Sequence, residues 1–130
     1  MAFEDIDSAT QPQIEADLAE ATGRGINGSP ADIVESFEAE LADYLALPPD
    51  VRRSFPRGDT ARLYGTALGQ ALVREGYQWQ LLIDDYGTDL VVAKDVGSAS
   101  EKYTAPLVVV DQRFEDEEPG TLTKFLGQFL

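Results

Sequence analysis

The sequence predicts an α+β fold, a small antiparallel three-stranded sheet covered by helices, in the order α-α-α-β-β-β-α. Three observations carry this expectation. Ile33, Phe37, Leu41 and Leu45 recur at spacing four behind a strong helix start. Tyr77, Trp79, Leu81 and Ile83 alternate with Gln78, Gln80, Leu82 and Asp84, and a second apolar run follows a short turn containing Gly87. Between these stretches, Ala61, Gly65 and Gly69 form a stripe of small residues at helical spacing.

Residues 1–11 are polar and acidic and read as a flexible N-terminal extension, with 12–130 forming a single α+β domain. Residues 12–22 are weakly helical: Pro12 suits a first turn, and Ile14 and Leu18 lie four apart. Gly23 to Gly28 reads as a loop. At the next helix, Ser29 caps the free N–H groups, Pro30 fits the first helical position, and Asp32 favours the positive end of the dipole. The face of Ile33, Phe37, Leu41 and Leu45 turns inward, while Glu35, Glu38, Glu40 and Asp43 mostly face water. Pro48-Pro49 ends this helix.

Residues 48–58 read as a connector rich in Pro and Arg. Asp59 or Thr60 caps a further helix running to about Glu75, with Leu63, Ala67, Leu68, Ala71 and Leu72 inward. Glycine costs a helix roughly 1 kcal/mol relative to alanine. Two glycines in one helix therefore imply close approach by another backbone, and the expected neighbour is the sheet. Gly76 stops the helix, and 77–84 then shows the period-two pattern of a half-buried strand. Asp85-Tyr86-Gly87 is a turn, and Asp89 to Lys94 returns as the antiparallel partner. After a polar loop at 95–102, two readings of 103–110 stay open. Val108-Val109-Val110 favours strand, whereas Pro106 can open a helical turn after a strand at 101–105. A third strand somewhere in 101–110 is the preferred reading. Glu115 to Gly120 is an acidic loop, and Thr121 caps a last helix with Leu122, Phe125, Leu126 and Phe129.

Composition removes much chemistry. The 130 residues include no Cys and no His. Disulfides, thiolate nucleophiles, Ser-His-Asp triads and imidazole metal ligands are therefore excluded. With 24 acidic and 10 basic side chains the formal net charge is −14. Nucleic acid and anionic lipid would repel such a chain, so the expected partner is a protein of basic or mixed charge. General acidic adaptation is the bland alternative. No stretch approaches the ~18–20 apolar residues needed to span a bilayer, and the acidic start does not read as a secretory signal. A cytoplasmic location is the default expectation.

The pattern Leu63-Tyr64-Gly65, Leu68-Gly69, Gly76-Tyr77-Gln78-Trp79, then Asp84 to Leu90, and later Pro106 and Arg113, resembles a bacterial family of domains of unknown function, the one numbered 3806. The resemblance covers roughly residues 55–118. It implies a compact α+β domain with no established activity. Gly65, Gly69, Trp79, Gly87 and Pro106 match as determinants of the fold, and no catalytic residue is carried over.

The charge is unevenly spread. Residues 1–50 hold twelve carboxylates and one cation, Arg24, whereas 51–75 hold five arginines against Asp59 and Glu75. The island Arg52, Arg53, Arg57 and Arg62 is the candidate interaction or anion-binding site, because guanidinium grips carboxylate and phosphate in bidentate geometry. The competing reading is that these arginines meet the chain's own acidic helices. Asp84, Asp85 and Asp89 can be read as a cation site, but lack the order of a calcium loop and suit a turn better. Tyr77 and Trp79 share the strand face of Leu81 and Ile83, which favours core packing over an exposed contact. The function expected is a non-catalytic interaction module of adaptor, immunity-like or chaperone-like kind. The alternative is a small anion- or phosphate-binding domain or enzyme using Arg52 to Arg62. No cofactor is expected, and self-association as a homodimer stays open.

Overall fold

The computed structural model describes residues 1–129. The chain runs β1 (Ala2–Asp5), α1 (Thr10–Gly23), α2 (Pro30–Ala46), α3 (Pro49–Arg52), α4 (Arg57–Arg74), β2 (Gln78–Asp84), β3 (Gly87–Lys94), β4 (Lys102–Thr104), α5 (Pro106–Gln112), a 3₁₀ turn (Arg113–Glu115) and α6 (Thr121–Leu126). The four strands form one antiparallel sheet in the order β1-β2-β3-β4.

Helix starts follow local chemistry. Before α1, the Asp7 carboxylate accepts the Thr10 N–H at 2.8 Å, the Ala9 N–H at 3.2 Å and the Thr10 hydroxyl at 2.7 Å. At α2, the Ser29 hydroxyl accepts the Asp32 N–H while the Asp32 carboxylate accepts the Ser29 N–H, both at 3.1 Å. Two free donors are satisfied reciprocally: the Ser29 cap was expected, and the return bond from Ser29 N–H to Asp32 is added by the structure. Helix α4 starts at Arg57, ahead of the expected cap at Asp59 or Thr60. Thr60 instead turns its hydroxyl back onto the Pro56 carbonyl at 2.8 Å. Gly76, with φ of +104°, stops α4.

Two expectations are corrected and one open alternative is resolved. The sheet has four strands, not three, because residues 2–5, within the segment read as a flexible extension, pair with β2. The strand expected somewhere in 101–110 is β4, and of the two readings open for 103–110 the helical one holds, so the valine run does not extend a strand. Strand β4 ends at Thr104, and Pro106 opens α5, which takes Val108, Val109 and Val110. Proline at a first helical position has no N–H to waste, and helix position here outweighs the β preference of valine. The connector 48–58 also holds a short helix, α3, opened by Pro49. The order is thus β-α-α-α-α-β-β-β-α-α, not α-α-α-β-β-β-α.

Helix α4 lies at the centre, between α1 and α2, α5 and the sheet. The glycine stripe is its contact surface, although the neighbouring backbone is not the sheet's. A methyl group on Gly65 would stand 2.5 Å from the Leu107 Cα of α5. One on Gly69 would stand 2.2 Å from the Trp79 ring and 3.0 Å from Pro106. At this stripe the sheet reaches α4 through the Trp79 ring, and α5 reaches it through the main chain of Leu107 and the ring of Pro106. On the far side of α4, Phe37, Tyr64 and Phe114 stack edge-to-face around 5.4–5.5 Å.

Both faces of the sheet are covered. Register places Trp79, Leu81, Leu90 and Val92 on the helix side. Leu82, Val91 and Ala93 point the other way and are nonetheless buried, Val91 to 1% exposure. Phe3 lies opposite Leu82 and Tyr103 opposite Ala93. Their rings reach in from the two sheet edges and meet edge-to-face at 5.4 Å on that outer face. No helix among the described residues is long and apolar enough to cross a membrane.

Candidate functional site

The four arginines of the basic island do not converge. Arg57 begins α4 and reaches the last turn of α5. Its Nε donates to Asp111 Oδ1 and its Nη2 to the Asp111 carbonyl, both at 3.1 Å, and its Nη1 lies 2.7 Å from Glu115. The guanidinium also stands 5.5 Å over the Phe114 ring. A cation that takes a terminal carbonyl suits the negative end of a helix.

Arg62, on α4, reaches the other way. It donates to Asp17 of α1, to Glu20 of α1 at 3.3 Å, and to Asp59 at 3.4 Å. The Asp17 side chain is only 5% exposed and also accepts from Gln13 at 2.9 Å. Burial alone would lower the pKa of Arg57 and of Arg62. The surrounding carboxylates outweigh burial and hold both above the ordinary value.

Arg52 turns onto its own helix layer. It donates to the Leu45 carbonyl in the last turn of α2 and stands 5.7 Å over the Tyr44 ring. Arg53 is exposed and has no ion-pair partner among the described residues. The island in the sequence is therefore three separate clamps and one exposed cation.

The other candidates resolve locally. Asp84 accepts the Tyr86 N–H at 2.8 Å and shapes the hairpin turn. No group of three carboxylates among the described residues is placed to hold a metal ion. Tyr77 is buried, and Trp79, half-buried, donates to Gln70 at 3.1 Å. Burial pushes the Tyr64 hydroxyl up, and the Glu40 charge adds to this, against the Ser36 hydroxyl bonded to it at 2.9 Å.

What the sequence did not disclose is the surface on either side of Arg62. A depression of about 430 Å³ lies between α1, α4, β3 and α5, with Ile14, Thr66, Leu90 and Leu107 in its walls and Asp7 and Asp17 among its polar groups. A second, also about 430 Å³, lies between α4 and α5, against Gly58, Ala61, Leu107, Val108 and Asp111. Arg62 and Leu107 belong to both. Val108 is 47% exposed. The signal was present in the sequence only as a valine run for which strand and helical turn both stayed open. Once 106–112 is helical, the run divides, with Val110 in the core and Val108 at the surface.

A glycine-bearing helix clasped between a second helix and a four-stranded sheet, and tied to its neighbours by its own arginines, defines a small helix-on-sheet α+β class of protein. Residues 52–125 match the family model described as "Domain of unknown function (DUF3806)", and the chain belongs to that family. No curated protein and no solved structure matches the chain. The matched stretch contains α4, α5 and the β2–β4 hairpins. Strand β1, α1 and α2 precede it, so Asp7 and Asp17 are brought to the depression from outside the matched stretch.

Proposed function

We propose that the chain is a non-catalytic protein-interaction module, of adaptor, immunity-like or chaperone-like kind, whose contact face is the surface around Arg62 and Leu107. One observation carries this reading. The two α4 arginines that an anionic ligand would need are held by the chain's own carboxylates, while the ground beside them is concave and partly apolar. An anion binding at Arg62 would have to displace Asp17, Glu20 and Asp59. For that reason the anion-binding alternative is not preferred. An exposed apolar patch with a polar border is the usual mark of a protein contact.

The test is capture from a lysate of the source cells on immobilised full-length chain, at low and then moderate salt, beside the variant Val108→Asp. Val108 is largely at the surface, so that variant retains the fold, which circular dichroism verifies. A protein held by the natural chain and released by the variant supports the reading. No retained protein at either salt concentration, or one held equally by both chains, overturns it.

A further inference from the structure

We infer that the two depressions flanking Arg62 and Leu107 act as one groove for a cationic amphipathic segment of a partner protein. Its apolar side chains sit against Ala61, Leu90, Leu107 and Val108, and its Lys or Arg side chains meet the carboxylate rim. This inference rests on the interaction-module reading and adds the chemistry of the occupant.

Charge selects the occupant. Asp17, Glu20 and Asp59 surround Arg62, and Asp111 and Glu115 surround Arg57. Asp7 stands at the first depression with no cationic partner among the described residues. Asp7, Asp17 and Asp111 thus line the two depressions beside one guanidinium, Arg62, while Glu20, Asp59 and Glu115 lie one ion pair further out, on Arg62 and Arg57, and both guanidiniums are already engaged. An incoming cation finds the exposed carboxylate of Asp7 and the half-exposed one of Asp111 in the lining, with the exposed Asp59 and Glu115 beyond it. An incoming carboxylate or phosphate meets net repulsion. A second copy of this chain, carrying −14, is disfavoured on the same ground.

Shape selects a segment in place of a flat surface. The two hollows share one ridge, Arg62 with Leu107, so an occupant places one apolar side chain on each side of it. Apolar contact supplies the residence time, and the rim supplies orientation, encounter rate and salt dependence. The rim acts over roughly a Debye length, about 10 Å at 0.1 M salt.

The experiment titrates the isotopically labelled full-length chain with three short synthetic peptides and follows backbone amide shifts. One alternates Leu and Lys, one replaces each Leu by Ser, and one replaces each Lys by Glu. The Leu/Lys peptide is expected to shift amides around Ala61, Leu90, Leu107 and Val108, and to weaken as salt is raised. Val108→Ser, which removes the apolar contact without adding a carboxylate, should weaken it about tenfold, the equivalent of burying one side chain of valine size. Asp59→Asn should weaken it about two- to fivefold at low salt. The Leu/Glu and Ser/Lys peptides should leave these amides unmoved. Equal binding of the Leu/Glu peptide, shifts confined to another surface, or no binding by any peptide overturns the inference. A lysate protein still captured by the natural chain and lost with Val108→Asp would then leave the module reading standing, with the cationic occupant alone removed.

Discussion

Gly69 lies directly beneath Trp79: a Cβ at position 69 would fall 2.2 Å from the far end of the indole ring, inside any permitted contact distance. The indole is in turn held by its N–H bond to Gln70, one residue along the same helix. Helix α4 and strand β2 are therefore locked by a glycine and a tryptophan whose positions each require the other.

Alanine substitution along α4 should change sign with position. At an open helical site, Gly→Ala gains up to about 1 kcal/mol. Gly58 is such a site, with nothing near its absent Cβ, and Gly58→Ala should stabilise. Gly65→Ala must push α5 away at Leu107, and Gly69→Ala must displace Trp79. Each should cost about 1–3 kcal/mol by overpacking. Urea unfolding midpoints of the three variants check the order. Equal effects at all three sites would show that the close approach is absent.

The link between α1 and α4 should be energetically uneven. Arg62 meets a buried carboxylate at Asp17 and a largely exposed one at Asp59. Double-mutant cycles on stability should give a coupling of about 1–2 kcal/mol for Arg62 with Asp17, as expected of a hydrogen bond to a charged group. The Arg62–Asp59 coupling should stay within the ~0–1 kcal/mol of exposed pairs. Equal couplings would place Arg62 at the surface of α4 with no preferred partner.

Alkaline pH should weaken the fold through Tyr77 and Tyr64. Burial raises both hydroxyls above 10.0, helped by the Asp95 charge at Tyr77 and the Glu40 charge at Tyr64. The unfolded chain then loses these protons first. The stabilising contribution is complete below the unfolded value and is lost as pH rises through the folded values. Tyr77→Phe should flatten this decline. It should also cost about 1 kcal/mol at neutral pH, because the hydroxyl no longer donates to the Phe129 carbonyl at 3.0 Å. Thermal melting of both chains across neutral and alkaline pH gives the comparison.

Strand β1 should matter through one ring. Phe3 meets Tyr103 at 5.4 Å over the outer face of the sheet. Phe3→Ala should remove about 0.5–1.5 kcal/mol from that ring pair, in addition to the area uncovered at Leu82. Tyr103→Ala should add little once Phe3 is gone. Strict additivity of the two losses, measured by chemical denaturation, would contradict the ring contact.

Local chemistry made much of this protein readable in advance. The Ser29 cap, the stop at Gly76 and the β2–β3 turn at Asp84 to Gly87 need only neighbours in sequence. The glycine stripe announced a close contact, but sequence spacing cannot name the surface opposite. Helix α5 approaches Gly65 only because Pro106 turns the chain out of the sheet. The arginine island was legible as a cluster of charge, yet not as clamps. Residues within a dozen positions of one another point to different elements when a helix intervenes. The affiliation to the domain family was likewise legible, carried by Gly65, Gly69, Trp79 and Pro106.

The Ser29 cap, the periodicity of α2 and the glycine spacing of α4 were settled by the sequence itself, because each depends on side chains a few residues apart. Tertiary structure alone decided that residues 2–5 would add an edge strand, that Phe3 and Tyr103 would roof the outer sheet face, and that Arg62 would turn to Asp17. Those outcomes join residues scores of positions apart. Their free energy comes from area and charge buried together, which no local pattern encodes.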